Sequence, residues 1–297
     1  MISWPELGTR VAVRYRRPAG SVPPLTDAVG HLQAVHPMVR VRTKTGAVVE
    51  FAPADAVALR VLTDVPVRTS QIRALEHAAA VGRPGVEQAW LYGWLLRAGH
   101  GADIESNSAL PLDISANTTA IPAIVAWYTH RGLVPQLAIP DRLLRPPAGL
   151  APEREDRMLV RDVRELSAPR ELEASPESYA GVTFDKESHA SVTFAAVVDG
   201  EVVFGADPDV AGARAVVTVA PDGTRWVGLS AIRTLAGPAG PLCEALLAWG
   251  ASRGATRAYL RVGDRDTHTS ALAESLGFRL HHRSRYFPVP SGTWDSV

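Results

Sequence analysis

The sequence has one cysteine in 297 residues, Cys243, so no disulfide can close within the chain. That thiol stands among Leu242, Leu246, Leu247 and Trp249, which marks it as a small core residue rather than a nucleophile. It brings no metal site with it, and none is expected elsewhere. Lysine is nearly missing as well: Lys44 and Lys186 are the only two among 31 basic residues. With alanine, glycine and proline abundant, the arginine surplus reads as genomic composition and not as phosphate recognition. Positive and negative side chains balance at 31 each, so there is no general pull toward nucleic acid or an anionic membrane. Nowhere does the chain run through the ~18 uninterrupted apolar residues that span a bilayer. Met1-Ile2-Ser3-Trp4-Pro5-Glu6 also lacks the basic start and apolar run of a leader. A cytoplasmic protein with no membrane partner is expected.

What is present divides by period. Five short alternating stretches, Thr9 to Arg17, Ala28 to Val35, Met38 to Thr43, Ala47 to Ala52 and Leu59 to Leu62, predict half-buried strands. Lys44-Thr45-Gly46 is a hairpin turn, and Pro53 to Ala56 is one helical turn before the last strand. The order resembles an SH3-like barrel. From Ser70 the period becomes helical, with Ser70 suited to cap the helix. Two apolar strands follow, Gly93 to Arg97 and Asn107 to Leu112, around a glycine-rich turn at Gly99, His100 and Gly101. A helix from Ala120 to Arg131 is closed by Gly132. Arg142 to Arg154 reads as a linker, and Glu165 to Tyr179 as a surface helix and loop. The expected units are 1–66, 67–150 and 151–297.

The last unit starts as a meander, with strands at 191–198, 201–205, 213–219 and 225–232. It ends as helix (241–253), strand (257–262), helix (266–276) and closing strand. Pro241 suits a first helical turn, where its missing N–H would be unpaired anyway, and Gly254 and Gly277 suit left-handed caps. Asp264 or Asp266 can cap the second helix.

Within this order Ala271-Leu272-Ala273-Glu274-Ser275-Leu276-Gly277-Phe278 resembles the A-L-Y-E-x-L-G-F element of the GNAT superfamily of N-acetyltransferases. Gly93 to Arg97 and Asn107 to Leu112 resemble the N-terminal half of tandem GNAT proteins. With the barrel in front, the chain is similar to an actinobacterial acetyltransferase family that joins an SH3-like domain to GNAT repeats. The resemblance implies an α/β (α+β) fold, a mixed sheet flanked by helices, arranged as two GNAT-like halves behind the barrel.

It also implies chemistry. Acetyl-CoA is the cosubstrate, and the acceptor is an amine of a small molecule or protein; a homodimer is compatible with it. The backbone at Ala231, Ile232 and Arg233 would hold the pantetheine arm and thioester. The loop through Gly237, Ala239, Gly240 and Leu242 would turn amides toward the pyrophosphate, and Asp266 stands where the family has asparagine. Two departures follow. Pro238 and Pro241 remove amide donors from that loop, and Ala273 replaces the tyrosine that protonates the leaving thiolate. Tyr286 is the replacement acid to consider, with His281 and His282 beside it, while His100 and Glu105 are candidates to take the amine's proton. The two functional readings are therefore an active N-acetyltransferase and a GNAT-shaped CoA-binding or interaction protein with weakened or lost turnover.

Overall fold

In the first sixty residues the alternating pattern becomes an antiparallel sheet. The computed structural model describes residues 2–62, 67–99, 103–146, 149–166, 178–179, 182–185, 200–207, 211–234 and 237–289. Strands β1 (Arg10–Arg16), β2 (Leu25–Ala34), β3 (Val39–Thr43), β4 (Val48–Phe51) and β5 (Ala56–Val61) are ordered β4-β3-β2-β1-β5. Every second residue points inward, so Val11, Val13, Leu32, Val39 and Val41 are fully buried together, as period-2 geometry requires. The Thr43 amide donates to the Ala47 carbonyl at 2.8 Å and closes the hairpin over Lys44 to Gly46. Residues Met1–Pro66 form one compact unit and Val67–Val297 a second.

The second unit opens with helix α1 (Thr69–Gly82), strands β6 (Glu87–Leu91), β7 (Trp94–Ala98) and β8 (Ala109–Pro111), helix α2 (Ile121–Thr129) and strand β9 (Gln136–Pro140). Then come β10 (Arg154–Asp162), β11 (Ser178–Tyr179), β12 (Val182–Asp185), β13 (Glu201–Asp207), β14 (Ala211–Val219) and β15 (Arg225–Thr234). Helix α3 (Gly240–Ser252), β16 (Arg257–Gly263), helix α4 (Thr267–Ser275) and β17 (Arg279–Pro288) complete it. The strands make one mixed sheet in the order β11-β12-β13-β14-β15-β16-β10-β17-β9-β8-β7-β6. Position 150, expected to divide two units, falls inside this one, because β17 pairs with β10 on one side and β9 on the other.

Helix α1 covers one face with Ala74, Leu75, Ala78 and Ala79 against Met158, Trp226 and Tyr259. On the other face α3 packs Leu242, Leu246 and Leu247 on Val227, Leu229 and Leu260, and α2 packs Ile121, Ile124 and Tyr128 on Trp94, Leu96 and Leu137. The expected helices at 241–253 and 266–276 are α3 and α4, each within a residue or so. The expected strand at 191–198 and most of the segment 165–179 lie outside the described residues. Five strands were not expected: β6, β9, β10, β11 and β12, of which β11 ends the segment read as a surface helix and loop. The supposed linker ends where β10 begins, where the charges are paired within and across strands: Arg154 bonds Asp156 along β10 at 2.7 Å, and Arg283 of β17 bonds Glu155 at 2.8 Å.

Candidate active site

Strands β15 and β16 run parallel but pair only from Trp226↔Arg257 to Leu229↔Leu260. Beyond that β15 stays with β14 as far as Thr234, while β16 follows β10 to Gly263. The pair therefore splays. Ala231, at φ 50°, stands in the left-handed region that non-glycine residues rarely adopt. It lies where the β14–β15 register shifts, so the kink that turns β15 away is held by a bulge. At the mouth, Thr234 Oγ1 lies 3.1 Å from His268 Nε2 and ties the end of β15 to α4.

A cavity of about 260 Å³ occupies the splay, with Ser230, Ala231, Ile232, Gly263, Asp266 and Thr269 at one end and the C-terminal half of α1 at the other. Tyr259 lies across its floor. Its ring fits because position 228 has no side chain: a Cβ there would meet the ring at 2.1 to 2.6 Å. Burial pushes the Tyr259 phenol up to about 12, against the opposing pull of Arg214, Arg83 and Arg261.

Above this floor is a buried charge network. Glu76, fully enclosed on α1, accepts from Arg261 Nη2 at 2.6 Å and from Ser284 Oγ at 2.8 Å, and His282 Nε2 is 2.8 Å away. Burial alone would raise its carboxyl pKa, but the Arg261 charge, with His282 and Ser284, holds it well below the ordinary value. The other nitrogen of that ring, His282 Nδ1, lies 2.7 Å from His281 Nδ1. Glu105 gathers three guanidiniums: Arg83 at 3.0 Å, Arg154 at 3.5 Å and Arg261 at 3.7 Å.

Of the residues named from sequence, Glu105, Ala231, Ile232 and Asp266 line the cavity. Asp266 also accepts from the Thr269 amide at 2.9 Å as the cap of α4. Arg233 is exposed near the end of β15. Gly237 and Gly240 are half-buried at the approach to α3, whereas the side chains of Ala239 and Leu242 belong to the core and leave only main chain outward. Cys243 makes the first α3 bond, to Ala239, so the Gly240 and Leu242 amides precede the helical ladder and Pro241 between them has none. His100 lies outside the described residues.

Two expectations are corrected by packing. Tyr286 does not line the cavity: it is 1% exposed and accepts from Arg261 Nη1 at 3.3 Å, behind that guanidinium. His281 and His282 are likewise enclosed behind Glu76. Ala273 is fully buried in the α3 core with Leu276 and Phe278, not aimed at the cavity. Ala273→Tyr is therefore expected to overpack that core and lower stability by about 1–3 kcal/mol, read as a lower urea midpoint, with no gain in turnover. Sequence reasoning missed Glu76, Arg83, Arg154, Arg214, Tyr259 and Arg261. Only Arg97 had a signal, as the last residue of the Gly93 to Arg97 motif.

A splayed parallel pair, bulged on one strand and followed by a helix N-terminus, is the arrangement that the resemblance to the GNAT superfamily implies. Residues 69–287 match the family described as Probable histone acetyltransferase Rv0428c C-terminal, and residues 5–60 match the Rv0428c N-terminal Sm-like domain. The chain belongs to this family. It is 60% identical to the "Probable histone acetyltransferase Rv0428c" of Mycobacterium tuberculosis (strain ATCC 25618 / H37Rv), covering 100% of both chains. Among solved structures, a GCN5-related N-acetyltransferase from Kribbella flavida is similar at 16% identity and TM-score 0.49, over 77% of this chain and 98% of its own. A putative GNAT-family acetyltransferase from Novosphingobium aromaticivorans is similar at 19% identity and TM-score 0.37, over 57% of this chain and 79% of its own.

Proposed function

We propose that the chain is an N-acetyltransferase that moves the acetyl group of acetyl-CoA to an amine bound in the cavity between β15 and β16. The observation that carries this reading is the splay itself, which frees the edges of both strands from Ser230 and Arg261 onward. Free edge groups at Ala231 and Ile232 suit the pantetheine amides, and the Gly240 and Leu242 amides at the start of α3 suit the pyrophosphate. The amine nitrogen attacks the thioester carbon, the C–S bond breaks, and the CoA thiolate leaves. The amine's proton goes to Glu105, the carboxylate on the α1 side of the cavity, directly or through one water. A cytoplasmic location follows from that of the donor.

A second reading, CoA binding with little turnover, is favoured by Ala273 and Tyr286, since neither supplies a phenol to the cavity. The five strands of the first unit suit an SH3-like barrel as well as an Sm-like one, and we read it as a docking module. Residues 67–150 and 151–297 are read as two GNAT-like halves sharing one sheet.

Calorimetry with acetyl-CoA on the full chain, followed by thiol release with amines, separates the two enzyme readings: both require binding, and only the first requires turnover. Gly240→Phe locates the donor. A Cβ at that position meets no protein atom within 4 Å, so the variant should unfold at the parent's midpoint. Its acetyl-CoA affinity should nevertheless fall by about ten-fold or more, a change of ~1.4 kcal/mol. Unchanged affinity would move the pyrophosphate elsewhere.

A further inference from the structure

The α1 end of the cavity is walled by guanidiniums: Arg83, Arg97, Arg154, Arg214 and Arg261. Three are matched by carboxylates. Arg261 faces Glu76 and Glu105, Arg83 faces Asp103 and Glu105, and Arg154 faces Asp156 and Glu105. Arg214 donates to the Gly82 carbonyl at 2.9 Å and has further interactions.

Arg97 differs. It comes from β7, one strand in from the edge of the sheet, and is 5% exposed, and among the described residues it enters no ion pair. Nη1 donates to the Arg83 carbonyl at 3.0 Å, Nη2 reaches Ser108 Oγ at 3.4 Å, and Nε has no acceptor. A buried cation held by one good neutral acceptor is costly, and buried charges are otherwise paired. Burial lowers its pKa, as expected of a cation short of counter-charge. The uncompensated charge faces a cavity, so its missing partner can arrive with a ligand.

We propose that Arg97 receives an anionic group of the acceptor, so that the substrate class is a small acidic amine, one carrying a carboxylate or phosphate near its amino group. This rests on the acetyltransferase reading above. The volume, about 260 Å³, is just below the ~300–1,000 Å³ of typical small-molecule sites. The cations that flank a lysine in a basic protein tail would meet a wall of guanidiniums, whereas an acid meets complementary charge and fork geometry.

The test uses the full chain with saturating acetyl-CoA and reads thiol release for matched amines: 4-aminobutyrate against butylamine, phosphoethanolamine against ethanolamine, and a lysine-rich basic peptide. An acid is expected to exceed its neutral partner by ten-fold or more in kcat/KM, with the carboxylate and phosphate pairs showing which anion fits. Arg97→Gln should raise KM for the acid ten-fold or more, leave the neutral amine unchanged, and leave the acetyl-CoA Kd at the parent's value. Arg97→Lys keeps the buried charge without the fork and should lose part of the preference, which covers the case in which the glutamine variant does not fold. Faster turnover of the neutral amine or basic peptide overturns the proposal. So does an acetyl-CoA Kd that rises in Arg97→Gln, since the guanidinium then serves the donor. If the parent binds no acetyl-CoA, the transferase reading fails alone, and the acid site is still decided by calorimetry of 4-aminobutyrate and phosphoethanolamine on parent and variant.

Discussion

Replacing Glu76 by alanine is expected to remove about 3–5 kcal/mol of stability, the cost of stranding one member of a buried ion pair. The carboxylate is fully buried and bonded to Arg261, His282 and Ser284. Without it, the Arg261 charge keeps only the more distant Glu105 at 3.7 Å. His282 and Ser284 lose their shared acceptor, and α1 loses its polar tie to β16 and β17. Urea unfolding reads the loss. The exposed pair Arg14–Asp27 between β1 and β2 supplies the contrast, with side chains 56% and 45% exposed. Asp27→Ala there should cost at most ~1 kcal/mol, because water screens the charges it separates. A Glu76→Ala loss as small as that of Asp27→Ala would mean that apolar packing alone holds α1.

Stability is also expected to fall steeply as pH drops below about 6.5. Burial, together with the charges of His282, Arg257 and Arg142 and against that of Glu76, pushes His281 down to about 3 from its ordinary 6.5. Between those values the unfolded chain binds a proton that the folded one does not. Stability therefore declines as pH falls from 6.5 toward 3 and levels off below, at up to ~1.4 kcal/mol per pH unit for one proton. Glu76 adds to the decline. Its folded pKa lies below the ordinary 4.5, so its contribution is complete above that value and is lost as pH falls through and beyond it. Urea midpoints at pH 8, 6, 5 and 4 should trace a curve that steepens below pH 5. In His281→Gln, whose amide can donate to or accept from His282, the segment between pH 6.5 and 4.5 should flatten. The same slope in both proteins would assign the proton to another group.

Both results concern residues that nothing local in the sequence marks. Glu76 sits in Gln71-Ile72-Arg73-Ala74-Leu75-Glu76-His77, where it reads as the polar side of an ordinary helix. Its partners Arg261 and His282 are 185 and 206 residues away. Strand β10 was hidden for a related reason: the stretch read as a linker ends at Arg154, and the charged run Glu155-Asp156-Arg157 that follows shows no strand signal until β16 and β17 flank it and Glu155 meets Arg283 of β17. By contrast, α3 and α4 were legible almost to the residue, because Pro241, Asp266, Gly254 and Gly277 act within a turn of where they stand. The motif around Ala273 identified the class, yet its side chain lies in the core.

By itself, then, the sequence determined the family, the ends of its last two helices and the alternating strands of the first unit. These rest on spacing and caps, which are local. Only the tertiary structure decided which carboxylate and which guanidiniums are buried, and that Arg97 enters no ion pair among the described residues. Composition alone made the arginines look like genomic bias. Desolvation is set by what packs over a group, and here α1, β7, β10, β14 and β16 meet from distant parts of the chain to enclose a single cavity.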